Sequence, residues 1–169
     1  METFSDKNLS AWLQKIAQWL MRCDYTEVEL KRRLEQANLS LEQQALVLER
    51  VQNLGWLADE RVAQNIVDRK ASQWGKRRLQ YHLQQRGIEP SLITEATSNM
   101  DEESEQSRAY TLWQRKFKGL LPKTPQEMQK QSRFLAARGF SMTIIRKVLA
   151  QAKGGGDEGI TEHNFSDEV

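Results

Sequence analysis

A chain of 169 residues has the size of one ordinary domain or of a few very small modules. Its 38% apolar and 28% charged residues, with a mean hydropathy of −0.72, allow a core but demand a large wetted surface. No run approaches the ~18 apolar residues needed to span a bilayer, and the N-terminal METFSDKNLS lacks the basic-then-apolar pattern of a secretory leader. A single cysteine, Cys23, makes neither an internal disulfide nor a multi-thiolate metal site. A cytoplasmic protein without a cofactor is the expectation. The net charge of +2 conceals an asymmetry: Asp157, Glu158, Glu162, Asp167 and Glu168 follow Gly154 with no Lys or Arg among them, leaving +7 on residues 1–153. A basic body with an acidic tail points to an anionic partner and to a segment able to compete for the same surface.

In chain order, Leu9, Leu13, Ile16 and Leu20 form one helical stripe. Thr26 with Glu29 reads as a capping box opening a second helix with Leu30, Leu34 and Ala37 inward, and Ser40 with Gln43 repeats the signal. Val47, Val51 and Leu54 then make a stripe that Gly55 stops. Asp59 is expected to cap a helix with Val62, Ile66 and Val67 inward that ends near Trp74-Gly75. Leu79 and Leu83 mark a short helix closed by Gly87, and Pro90 sits just inside one bearing Leu92, Ile93 and Ala96. After the acidic stretch Asp101–Glu105, read as solvated connecting sequence, Ala109, Leu112, Trp113, Lys116 and Phe117 trace another helix. Thr124-Pro125-Gln126-Glu127 is the clearest helix start in the chain, Gly139 ends that helix, and Ser141 opens one with Ile144, Ile145, Val148 and Leu149.

Three segments share one logic: Leu34-x-x-Ala37-Asn38-Leu39-Ser40, Leu83-x-x-Arg86-Gly87-Ile88-Glu89 and Leu135-x-x-Arg138-Gly139-Phe140-Ser141. Each places an inward Leu, a residue suited to a left-handed helix stop, an apolar residue and then a helix opener. Recurrence near fifty residues predicts an all-α tandem array of three three-helix repeats, at 6–56, 57–99 and 102–153, elongated and curved, with a disordered acidic tail at 154–169. Helices this short and polar argue against one compact bundle.

Catalytic constellations are missing. The two histidines, His82 and His163, do not form a ligand set with Cys23, and Gly154-Gly155-Gly156 has neither the preceding strand nor the following Lys of a phosphate loop. His82 is read as a half-exposed packing residue and Cys23 as a half-buried inert thiol. Basic clusters recur instead: Lys31-Arg32-Arg33, Arg69-Lys70, Lys76-Arg77-Arg78, Arg115-Lys116 and Arg146-Lys147. Most such clusters are ordinary exposed helix faces. Lys76-Arg77-Arg78 stands apart because three cations at a helix N-terminus oppose the macrodipole. Of the five tryptophans only Trp74, beside that triplet, reads as a contact residue; Trp12, Trp19 and Trp56 are read as packing.

The blocks Gly55-Trp56-Leu57-Ala58-Asp59-Glu60-Arg61-Val62-Ala63, Gly75-Lys76-Arg77-Arg78-Leu79 and Leu83-x-x-Arg86-Gly87-Ile88 resemble the central part of the RecX family. Thr26-Glu27-Val28-Glu29-Leu30-x-x-Arg33-Leu34 resembles its first-unit motif, and Arg133-Phe134-Leu135-x-x-Arg138-Gly139-Phe140 its last, so the resemblance spans Asn8 to Ala152. Ala58 departs from the family, which often has an acid there. The resemblance implies a non-enzymatic regulator of the RecA recombinase that lies in the groove of the RecA–DNA filament and bridges neighbouring subunits. It would thereby inhibit ATPase, strand exchange and coprotease activity, acting as a monomer with weak, salt-dependent affinity for single- and double-stranded DNA. Arg33, Lys76, Arg77, Arg78, Arg86 and Arg138 match basic positions of those blocks; Arg69, Lys70 and Trp74 join them as candidates from the clusters above. Two rivals remain: a stand-alone DNA-binding repeat protein without a recombinase target, and a helical adaptor using apolar ridges alone.

Overall fold

The computed structural model describes residues 6–154, and the expected tail at 154–169 lies, past Gly154, outside them. The described residues form helices α1 (Asp6–Leu20), α2 (Glu27–Gln36), α3 (Leu41–Asn53), α4 (Asp59–Lys70), α5 (Lys76–Gln85), α6 (Pro90–Ala96), α7 (Glu102–Phe117), α8 (Pro125–Ala136) and α9 (Met142–Gly154), with no strand among them. In order they make three successive three-helix repeats. The fold is all-α and repetitive, as the periodicity predicts.

Local chemistry sets the helix starts. Thr26 and Ser40 both complete their capping boxes, with Glu29 and Gln43 reaching back to the cap N–H groups. Asp101 and Thr124 accept from the N–H groups of Ser104 and Glu127. Asp101 thus turns the acidic stretch into the cap and first turn of α7, where negative charge complements the macrodipole; it is not connecting sequence. Asp59 is likewise not a cap. It is the first residue of α4, whose Val62 N–H bonds back to the Ala58 carbonyl, and its carboxylate instead accepts from the backbone N–H of Glu27 at 3.1 Å. Helix α4 stops at Lys70, short of Trp74-Gly75.

The stops follow one rule. After α2, α3, α5 and α8 a residue at positive φ (Asn38, Gly55, Gly87, Gly139) reverses the chain. The next N–H then returns five residues to Leu34, Val51, Leu83 and Leu135 respectively, closing a Schellman turn each time. The apolar residue after the stop (Leu39, Ile88, Phe140) is buried, as the shared motif requires.

Contacts divide the chain into two compact units. One holds the chain through Lys70 together with Leu79–Asn99; the other holds Ala71–Arg78 and the chain from Met100. In the first, Ile16, Leu30, Leu34, Leu39, Val47, Leu48 and Val51 form a core, against which Trp12, Trp19 and Trp56 pack. Leu54, expected inward, is the C-cap of α3 and is 41% exposed; Leu48 and Gln44 take the inward positions. In the second, α7 packs on α9 and α8 around Trp113, Leu135, Phe140, Ile144, Ile145 and Val148. The Trp113 indole donates to Gln131 Oε1, and Gln131 Nε2 donates to the Leu120 carbonyl, so a buried polar pair pins the α7–α8 loop.

Glycine at position 87 answers two constraints at once: φ is +80°, and a Cβ there would lie 2.8 Å from the Val28 side chain. Gly87→Ala is expected to lower unfolding free energy by about 3 kcal/mol. Gly55→Ala, at φ +67° with open space around it, is expected to cost about 1 kcal/mol. Urea unfolding of the two variants checks the contrast, and equal losses would remove the close-approach explanation.

Candidate functional site: two basic assemblies at helix ends

The candidate residues fall into two groups, one in each compact unit. In the first unit, the start of α2 meets the end of α5. The Thr26 hydroxyl accepts from Glu29 N–H and donates to the Arg86 carbonyl at 2.7 Å. The Arg86 guanidinium returns a two-pronged contact to the Glu29 carboxylate, 2.6 Å from Nε and 2.5 Å from Nη2, and Nη2 also donates to the Asp24 carbonyl at 2.8 Å. Partial burial pushes the Glu29 carboxyl upward, but the hydrogen bonds from Arg86 and Thr26 and the charge of Arg86 outweigh it and hold the group below its ordinary value. The hydrogen bond to Glu29 leads in raising the Arg86 pKa, partly offset by burial. Arg86 is thus committed to holding two helix ends together.

Arg33 and Arg69 flank that lock. Arg33 donates to the Tyr25 hydroxyl and lies over the Trp19 ring, 4.1 Å from its centroid. Lys15 spans Trp12 and Trp19 from the same side of α1, at 4.4 and 5.5 Å. Arg69, in the last turn of α4, is exposed; it donates to the Asn65 carbonyl and pairs loosely with Asp24 at 3.4 Å. Lys70 beside it is exposed and engaged. Together Arg22, Asp24, Tyr25, Glu29, Arg69 and Arg86 line a polar cleft of about 660 Å³. Cys23, on its rim, is exposed, correcting the expectation of a half-buried thiol: it lies in the segment after α1 ends, where no core covers it.

In the second unit Trp74, Lys76, Arg77, Arg78 and Arg138 come together. Gly75 N–H donates to the Arg138 carbonyl at 2.7 Å, and Arg78 Nη1 donates to the Ala137 carbonyl at 2.7 Å. Gly139 stands so close to Arg78 that a Cβ would lie 2.5 Å from its backbone nitrogen. The Arg78 guanidinium covers the Trp74 ring at 4.4 Å, and that of Arg138 covers Phe134 at 3.8 Å. The negative charge that α5 lacks in its own first turn is supplied from α7. Glu105, only 8% exposed, accepts from Lys76 N–H at 2.9 Å. Lys76 Nζ bonds back to the Met100 carbonyl. The triplet is therefore differentiated: Lys76 and Arg78 hold the junction, and Arg77 is exposed.

Glu105 is the residue that sequence reasoning missed. Its signal was available, since positions 105, 109 and 112 share one helical phase with the buried Ala109 and Leu112. Among the described residues no group of three or more His, Cys, Asp or Glu forms a metal-binding cluster, and no helix is long and apolar enough to cross a membrane.

Comparison with known proteins matches two of the three repeats to families. Residues 59–96 match the second three-helix domain of RecX, and residues 102–149 match its third. The regulatory protein RecX of Chromobacterium violaceum is 36% identical over 148 residues, covering 88% of this chain and 93% of its own. That of Ralstonia nicotianae is 30% identical over 141 residues, covering 83% and 87%. The crystal structure of RecX from Lactobacillus salivarius shares the fold with a TM-score of 0.74 at 15% identity, covering 88% of this chain and 99% of that one. A second crystal structure of a regulatory protein RecX aligns with a TM-score of 0.70 at 19% identity, covering 83% of this chain and 70% of its own.

The Arg86–Glu29 pair generates a pH-dependent prediction. A carboxylate held below its ordinary value of 4.5 contributes stability above that pH and loses it as the pH falls through the lowered value. Glu29→Gln is expected to lower unfolding free energy by about 2 kcal/mol at pH 7, discounted for partial exposure. The gap to wild type should shrink as the pH is taken from 6 toward 3. A gap independent of pH, measured by urea unfolding at each pH, would remove the ion pair as its source.

Proposed function

We propose, given that this chain belongs to the RecX family of regulatory proteins, that it regulates the RecA recombinase by binding the RecA–DNA nucleoprotein filament. Seated in the filament groove, it bridges neighbouring subunits and inhibits ATP hydrolysis, strand exchange and coprotease action, which places it in DNA recombination, DNA repair and the SOS response of the cytoplasm. The repeats at 6–56, 57–99 and 102–153 act as successive contact modules of a monomer. Linking several weak contacts raises the effective concentration of each for the next. The chain acts without catalysis of its own, and bare single- or double-stranded DNA is bound weakly and in a salt-dependent way.

One observation supports this most directly: the basic start of α5, where Glu105 neutralises the helix end and Arg78 is fixed on Trp74 and Ala137, while Arg77 is left exposed. Of the candidates, Arg77, Arg69 and Lys70 are exposed and suited to contact phosphate or acidic protein surface, Arg78 is exposed but tethered, and Arg33, Trp74, Lys76 and Arg138 border them half-buried. Arg86 serves by keeping the first unit in shape.

Titration into a recombinase ATPase assay, with preformed filament compared against bare DNA, tests the assignment. Wild type is expected to suppress turnover of preformed filament. Arg77→Glu should weaken that suppression about tenfold, equivalent to about 1.4 kcal/mol, without changing the unfolding midpoint. Full inhibition by the variant would remove Arg77 from the contact. A wild-type protein that leaves turnover untouched but binds DNA with a steep salt dependence would establish the stand-alone DNA-binding alternative instead.

A further inference from the structure

The loop between α7 and α8 builds a second cationic feature that neither basic assembly uses. Lys116, Lys118, Lys123 and Lys130 surround a cleft of about 600 Å³ whose floor and wall include Phe117, Leu120 and Leu121, with Glu127 the one acid among the lining residues. Leu120 is 69% exposed. The loop is held in shape: Lys118 and Gly119 adopt positive φ, Leu120 N–H bonds to the Phe117 carbonyl, Gln131 grips the Leu120 carbonyl, and Glu127 accepts from Lys123 N–H at 2.7 Å. A pinned loop that keeps a leucine in water among four ammonium groups is complementary to a segment carrying both carboxylates and apolar side chains. A phosphate backbone would satisfy the lysines and leave Phe117, Leu120 and Leu121 uncovered.

We propose that the occupant is the chain's own acidic segment, residues 157–168. It carries Asp157, Glu158, Glu162, Asp167 and Glu168, with Ile160 and Phe165 spaced among them. Both halves of the cleft's chemistry are therefore matched, five carboxylates to four lysines and two large apolar side chains to the exposed leucine. The reach is sufficient. The end of α9 lies beside the start of α7, where Gln151 accepts from Gln106 and Lys147 pairs with Glu102. From Gln106 to Phe117 the helix rises about 16 Å, whereas the eleven residues from Gly154 to Phe165 extend to about 36 Å. Salt weakens the contact, and a more strongly anionic partner displaces the segment.

Carbodiimide coupling of lysines to carboxylates in the intact protein, mapped by mass spectrometry, tests this without DNA or recombinase, so it fails or succeeds separately from the regulatory function above. Mixing ¹⁴N and ¹⁵N protein distinguishes one chain from two. Expected are same-chain links from residues 157–168 to Lys116, Lys118, Lys123 and Lys130, at least fivefold more abundant than links to Lys31 or Lys147 and suppressed at high salt. The double variant Leu120→Ser with Phe165→Ser keeps every lysine and carboxylate and should reduce these links at least fivefold. Links spread evenly over lysines, links predominantly between isotopes (a second copy as occupant), or links undiminished in the double variant would each overturn the proposal.

Discussion

The first compact unit is tied together by a reciprocal contact, in which the start of one repeat's middle helix is joined to the end of the next repeat's middle helix. Thr26 and Glu29 cap α2 while also receiving Arg86, so a local helix-start device doubles as a long-range connector. The second unit obeys the same rule with different atoms. Gly75 and Arg78 at the start of α5 meet the carbonyls of Arg138 and Ala137 at the end of α8. Short helices have four unsatisfied backbone groups at each end, so ends form a large fraction of their length. Satisfying the end of one with the start of another solves that problem in both units and makes the polar groups themselves the structural joint.

This joint explains why the stop motif ends in Gly where it does. In repeats two and three the turn must combine a left-handed backbone with a neighbour closer than any side chain permits, Val28 against Gly87 and Arg78 against Gly139. The first repeat's equivalent position, Asn38, carries the same positive φ. Asn tolerates the left-handed region because its short polar side chain bonds locally.

The sequence made the helices and their punctuation legible because those signals are local: cap residues, N1 proline, apolar spacing and left-handed stops lie within a few residues of what they control. Thr26, Ser40, Thr124 and Gly139 are all where their neighbours say they should be. Long-range partners were not legible. Asp59 has the composition of a cap yet serves Glu27, thirty-two residues earlier. Glu105 sits in a run of acids that looks solvated; its phase with Ala109 and Leu112 separates it from Glu103, while Glu102, on the same stripe, is exposed at the first position of the helix. The basic clusters show the same boundary, since residue type and position cannot distinguish Arg86, which is committed to Glu29, from Arg77, which faces water.

That distinction bears on how charge is to be read in a repeat protein. Arg86 and Arg138 recur because each precedes a stop glycine at a joint, so part of the basic excess is a consequence of architecture and is already neutralised or turned over an aromatic ring. The proposed attraction for a polyanion would then rest on cations outside the joints. Arg77 is such a cation: it sits beside a joint, next to Arg78, where the helix-end geometry fixes its backbone while its side chain is exposed. Placing exposed charge on the residue adjacent to a rigid junction limits the backbone freedom lost on binding, which is the condition under which a weak surface contact contributes most.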